Sequence, residues 1–157
     1  MAKSQKAPEV AKSNISSIKT PGLKILVGLF LLTCLVYSNT LGHEFVLDDP
    51  LSIGLNKNVT SGISGIVDII TGGYRENNFG GQLYRPISLI QFAIEWQISP
   101  NNPFIHHLFN VLWCAITVCL IFITVRKWMP EKSIIIPVGI AAIFAIHPIH
   151  TEVVANI

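Results

Sequence analysis

Residues 104–125 read FIHHLFNVLWCAITVCLIFITV. This run of 22 residues holds no Asp, Glu, Lys or Arg. About 20 predominantly apolar residues are what a helix needs to cross a hydrocarbon core. A short charged turn follows at 126–132, RKWMPEK, with Pro130 inside it. Beyond it, residues 133–149 form a second apolar run, SIIIPVGIAAIFAIHPI, with Pro137 near its start and Pro148 at its end. Upstream, residues 25–41 read ILVGLFLLTCLVYSNTL, a charge-free run of 17 residues that is just long enough to cross. The pattern predicts three transmembrane helices, at 25–41, 104–125 and 133–149.

The bulk numbers agree. Of 157 residues, 50% are apolar and 13% charged, against roughly 25% charged for a soluble domain. Mean hydropathy is +0.54. Such a chain is neither a disordered polymer nor an ordinary soluble domain. A formal charge of +2, with no zinc-finger, RNP or basic-region pattern, predicts no nucleic-acid partner. Cys34, Cys114 and Cys119 all fall inside apolar runs and form no CxxC, so they read as small apolar residues of the spans. Residues 1–24 are polar and rich in Lys, Ser and Pro, which predicts a disordered tail. The first apolar run is longer than a signal-peptide core and lacks a small-residue exit, so it reads as an uncleaved anchor.

Orientation follows from Lys and Arg near the span ends. The tail carries Lys3, Lys6, Lys12, Lys19 and Lys24, and the turn carries Arg126, Lys127 and Lys132. Only Lys57, Arg75 and Arg85 lie in 42–103, beside Glu44, Asp48, Asp49, Asp68, Glu76 and Glu95. The N-terminus and the 126–132 turn are therefore expected in the cytoplasm. Residues 42–103 and the stretch beginning at 150 are expected outside. Residues 86–98, PISLIQFAIEWQI, are apolar but only 13 long. Ser88, Gln91 and Glu95 fall on one helical face, which predicts an amphipathic helix lying in the interface. The expected fold is an all-α polytopic membrane protein, with three transmembrane helices and a long outer loop carrying juxtamembrane amphipathic helices. The bacterial inner membrane is the favoured location, with the endoplasmic reticulum membrane as the alternative.

All five histidines then lie near the outer face: His43, His106, His107, His147 and His150. Asp48, Asp49 and Glu152 lie on the same side. Adjacent carboxylates just past a span suit a general base or a metal ligand. Neighbouring side chains of an extended stretch point apart, so one of the pair is expected to face a shared site. Asp49 before Pro50 also suits a helix cap, and spacing leaves capping and chemistry both open. Arg85, in Tyr84-Arg85-Pro86, sits where a guanidinium could hold a lipid phosphate or a carboxylate, and Arg75 is a second candidate. His147 and His150 are three apart, a metal-binding spacing, but Pro148 between them argues against one helical face. Asn58-Val59-Thr60 is a glycosylation sequon on the outer side, and Asn14-Ile15-Ser16 matches on the cytoplasmic side.

These pieces occur in a telling order. Phe45-Val46-Leu47-Asp48-Asp49 is followed by Asn56 and Asn58, Tyr84-Arg85-Pro86-Ile87, His107-Leu108-Phe109-Asn110-Val111-Leu112 and His147-Pro148-Ile149-His150-Thr151-Glu152-Val153-Val154-Ala155. Over residues 24–157 this resembles the N-terminal part of the transmembrane and tetratricopeptide-repeat (TMTC) proteins. These belong to the GT-C glycosyltransferase superfamily and are related to the protein O-mannosyltransferases. The resemblance implies a catalytic acidic pair in the first outer loop, carried by Asp48 and Asp49. It implies sugar transfer, typically of mannose, from a polyprenyl-phosphate carrier to Ser or Thr of a protein acceptor. It also implies a pattern that continues past Ile157 with a Gly-Arg pair, more spans and helical repeats, so the chain reads as a fragment.

In the expected chemistry, Asp48 or Asp49 takes the proton of the attacking hydroxyl. Arg85, Arg75, His147, His150 and Glu152 hold the lipid phosphate or complete the pocket, with a divalent cation as one candidate source of positive charge. The anomeric centre is inverted. A non-catalytic membrane anchor or scaffold for a repeat protein is the alternative. A transporter fragment is disfavoured because no charged residue lies within a run. Reporter fusions after residues 60, 129 and 157 should report outside, inside and outside. An outside signal at 129 would separate the two outer segments.

Overall fold

The computed structural model describes residues 20–46, 49–71 and 85–157. Within them the structure is helical, with no strand. Seven α-helices occur among the described residues: α1 (Thr20–Val36), α2 (Lys57–Thr60), α3 (Ile66–Thr71), α4 (Pro86–Ile98), α5 (Pro103–Trp128), α6 (Ile135–Ile146) and α7 (His150–Ala155). The tail at 1–19, Leu47, Asp48 and the stretch 72–84, with Arg75 and Tyr84, lie outside the described residues.

The apolar runs become helices whose ends have local causes. Asn102 starts α5: its side chain accepts the Phe104 N–H at 3.1 Å, and Pro103 occupies the first turn. Arg126 and Lys127 in the last turn favour the helix's C-terminal end. At 26 residues, α5 is the one described helix long and apolar enough to cross a membrane. Of the other two expected crossings, α1 keeps 17 residues but is shifted, its helix starting at Thr20 inside the stretch expected to be a disordered tail, and α6 is shorter. α1 stops at Val36 rather than Leu41, and Ser38–Gly42 tightens into a 3-10 turn. There the Ser38 hydroxyl donates to the Leu35 carbonyl and the Thr40 hydroxyl to the Tyr37 carbonyl, each at 2.8 Å. α6 covers 135–146 instead of 133–149. The proline ring of Pro148 disfavours helical geometry at His147, which is extended at φ −70°, ψ 126°.

α1, α5 and α6 each pack against the other two. Leu29, Val118, Phe122, Ala141 and Ala145 form their shared core. Ala141 and Ala145, one turn apart and fully buried, let the backbones approach closely. Towards the end of α1, Tyr37 meets Val111 of α5 and Val154 of α7. The C-terminal end of α1, the N-terminal end of α5 and the corner after α6 thus share one end of the bundle. The opposite end holds the tight turn in which the Arg126 guanidinium donates to the Lys132 carbonyl at 2.9 Å. The outward faces are aliphatic: Leu23, Val27, Leu31 and Leu35 form one stripe along α1, and Ile136, Ile140 and Ile143 another along α6.

Between α1 and α5 a small helical cap closes the first end. Its core is Ile53, Val59, Ile69, Leu89 and Ala93, with Phe45, Phe92, Trp96 and Ile157 against it. Asn56 caps α2 by accepting from the Asn58 N–H at 3.1 Å. Gly65 lets the next turn touch α2. A Cβ there would lie 1.9 Å from the Asn58 carbonyl oxygen, a backbone atom that cannot swing away. Gly65→Ala should therefore destabilise the cap by about 1–3 kcal/mol, seen as faster proteolysis within 50–71 in detergent. Gly139→Ala, with nothing within 4 Å of the added carbon, should leave proteolysis unchanged.

Candidate functional site

The loop leaving α1 carries the acidic pair, of which Asp49 is described and fully buried. Its Oδ2 accepts the Val46 N–H at 2.9 Å, and its own N–H donates to the Val46 carbonyl at 3.0 Å. Pro50 opens the wide helical turn Pro50–Gly54 directly after it. The capping reading of Asp49 needs correction: its side chain makes no cap bond to that turn and folds back on the loop before it.

The first two turns of α5 face this loop. His107 meets His43 edge-on, with ring centroids 5.9 Å apart, and lies within electrostatic reach of Asp49. His106 points the other way, between Phe45 at 5.6 Å and Phe92 at 5.8 Å. Its Nδ1 is hydrogen-bonded to Oε2 of Glu95 on α4. Both residues are fully buried. The network continues outward: Gln91 Nε2 donates to Glu95 Oε1 at 2.6 Å, and Trp113 Nε1 donates to Gln91 Oε1 at 2.9 Å. The polar stripe of α4 is thus partly turned inward, onto α5. Taking away one member alone leaves a buried polar atom without its partner, at about 1–3 kcal/mol.

Beside this network opens a cavity of about 290 Å³. Arg85, Ser52, Ser88, Gln91, Asn110 and Asn156 give its polar lining, and Leu89, Phe92, Val153 and Ile157 its apolar lining. Arg85 is the one charged side chain among the described residues that line it. It precedes Pro86 and starts α4, its carbonyl accepting the Leu89 N–H at 3.2 Å. Gln91 and Phe92 belong to both the cavity wall and the Glu95–His106 network. The chain's last residues close the cavity because Asn110 Nδ2 donates to the Asn156 carbonyl at 2.7 Å. A guanidinium with amides and hydroxyls, and no side-chain carboxylate among the described lining residues, suits an anion, and the apolar wall suits a hydrocarbon portion.

The expected site residues divide. Asp49 and Arg85 stand at the same end of the bundle, and Ser52, three residues after Asp49, lines Arg85's cavity. Asp48 and Arg75 lie outside the described residues. His147 and Glu152 are exposed at the α6–α7 corner and do not line the cavity. His147 Nδ1 accepts the Ile149 N–H at 3.2 Å, and His150 stacks on Phe144 with centroids 4.1 Å apart. The rings of His147 and His150 are 6.0 Å apart. Among the described residues, no three His, Cys, Asp or Glu side chains converge to hold a metal ion. The sequence marks His106 only as one of five outer-face histidines, and Glu95 only as the end of the Ser88-Gln91-Glu95 stripe; neither spacing pairs the two.

One helix long and apolar enough to cross a membrane, a buried aspartate, two adjacent histidines and an arginine-marked cavity thus meet at one end of the helical bundle. Comparison with known proteins gives the relationship. The chain is 30% identical over 141 residues to Protein O-mannosyl-transferase Tmtc1 of Drosophila melanogaster, covering 84% of this chain and 16% of that protein. It is 32% identical over 130 residues to Protein O-mannosyl-transferase TMTC1 of Homo sapiens, covering 80% and 14%. It is 29% identical over 153 residues to Protein O-mannosyl-transferase TMTC3 of Homo sapiens, covering 91% and 15%. No protein-family model matches the chain, and no solved structure does. The protein is TMTC-like and related to the protein O-mannosyl-transferases. The chain spans about a sixth of the length of the first of these relatives.

The Asn110–Asn156 bond is the polar tie that holds the chain's end over the cavity. Asn110→Ala should cost about 0.5–1.5 kcal/mol. Hydrogen exchange should then speed up over 150–157 while the α1–α5–α6 core stays protected. Unchanged exchange over 150–157 would mean that Val154 packing alone seats α7.

Proposed function

We propose that this chain is the N-terminal part of a membrane glycosyltransferase that moves mannose from a polyprenyl-phosphate carrier to Ser or Thr hydroxyls of a protein acceptor. The observation that carries the reading is one end of one bundle bearing both a buried aspartate loop and an arginine-marked cavity. The relatives' names supply the transferred group. α1, α5 and α6 are the three membrane crossings. Their mutual packing, aliphatic outer stripes and basic residues at the opposite end support this, with the 126–132 turn cytoplasmic. Polar residues of the 37–41 and 147–149 flanks let the two shorter helices reach the interfaces.

In the reaction, the acceptor oxygen attacks the anomeric carbon. The bond from that carbon to the carrier's phosphate oxygen breaks, and the hydroxyl proton passes to Asp48 or Asp49. Attack opposite the leaving group inverts the centre. The departing phosphate is a good leaving group without protonation, so the useful device is positive charge at its oxygens. Arg85 supplies it in the cavity, with Arg75 or a divalent cation as a further source. The cavity's apolar wall takes the first part of the lipid. His147, His150 and Glu152, at the exposed corner, belong to the approach of substrate.

The second reading is a non-catalytic anchor or scaffold for a repeat protein. Asp49's full burial and its bond to Val46 favour a structural acid. Asp48→Asn and Asp49→Asn separate the two when this chain replaces its counterpart in the Drosophila melanogaster relative. Loss of at least one carboxylate should lower mannose transfer by about 10²–10⁴-fold, with membrane insertion intact. Transfer retained in both variants and in their combination would put the proton acceptor elsewhere.

A further inference from the structure

We infer that Glu95 and His106 are positioning residues that hold the aspartate loop in place. The inference rests on the catalytic reading of that loop and adds what fixes it. The described residues of this loop, 43–46 and Asp49, make two contacts to α5 and one within the loop. His43 abuts His107, Phe45 packs on His106, and Val46 is bonded to Asp49. Two of the three contacts are made by consecutive residues of α5. Consecutive helical residues point about 100° apart, so the pair grips the loop at two places only while the helix keeps one rotation. Glu95 sets the His106 ring. Its Oε2 meets Nδ1, and its Oε1 is held by Gln91, which is in turn held by Trp113 about two turns further along α5. The ring that supports Phe45 is therefore locked from the far side by a side chain of a different helix.

Stability does not call for a buried carboxylate here. Apolar residues of similar volume commonly serve as well or better in place of a buried polar pair. A device that fixes one ring orientation is a different matter, because a loop displaced by about 1 Å can lower turnover by roughly 10²-fold.

The full chain in liposomes provides the first arm. Val46→Cys is labelled with an impermeant maleimide and modification is read at residue 46 by mass spectrometry. The apolar pair Glu95→Leu with His106→Phe should label several-fold faster at unchanged helicity, and Glu95→Gln, which keeps a hydrogen-bonding group at the same place, should label slowly again. In the second arm, the same substitutions in the chimaera should lower kcat with little change in KM, and Glu95→Gln should recover most of it. Labelling at the unsubstituted rate in the apolar pair overturns the inference whatever transfer does. Faster labelling with transfer untouched by loss of Asp48 and Asp49 sustains the clamp and rejects the catalytic reading of the loop.

Discussion

The hydrogen bond between His106 and Glu95, with the bond from Trp113 to Gln91 beside it, ties α4 to α5. α4 lies in the cap, and α5 is the helix long enough to cross a bilayer. Through this bond the cap is referenced to the bundle. The loop beyond α1 follows because Phe45 rests on the same ring, and the cavity follows because Gln91 and Phe92 form part of its wall. The first two turns of α5 thus organise three chain segments at once: the aspartate loop through His106 and His107, α4 through Glu95, and α7 through Asn110. A polar pair at that place is costly to desolvate and loses most of its value if either partner moves. Its position is correspondingly well defined.

Lipid, rather than water, is the solvent that suits the bundle's sides. Leu31, Leu35, Ile135 and Ile143 are each more than half exposed, at 60%, 72%, 75% and 63%. Continuous aliphatic stripes of this kind are rare on monomers in water. Of the six described Lys and Arg residues, four lie at one end. Lys24, Arg126, Lys127 and Lys132 gather where α1 begins and α5 ends, and Asp49 and Glu95 are buried where α1 ends and α5 begins. On the proposed reading the first end faces the cytoplasm and the second carries the site.

Much of the helical layout was legible in the sequence because its causes are local. Asn102 and Pro103 announce the start of α5, and Pro86 and the Ser99-Pro100 step bound α4. α1 and α6 end inside the apolar runs for equally local reasons that hydropathy does not weigh: hydroxyls returning to carbonyls after Val36, and the restriction Pro148 puts on His147. The site was less legible. Asp49 and Arg85 stand out as charges beside apolar runs. Spacing leaves capping and chemistry both open for Asp49, and only the fold shows its Oδ2 accepting from the Val46 N–H of the loop before it. Periodicity showed that Ser88, Gln91 and Glu95 share a face and could not show that the face turns onto α5 instead of solvent. The meeting of Asn110 with Asn156, 46 residues apart, is tertiary and leaves no mark in spacing.

Everything at the site depends on residues 43–49 and 147–157 sharing one end of the bundle. Spin labels at Val46 and Val153, and separately at Val46 and Lys132, measure this directly in liposomes once Cys34, Cys114 and Cys119 are replaced. The 46–153 pair should give a short, narrow distance distribution. The 46–132 pair should report about the length of α5, near 39 Å at 1.5 Å per residue. A 46–153 distance as long as 46–132 would contradict a shared end, and no common site could then form.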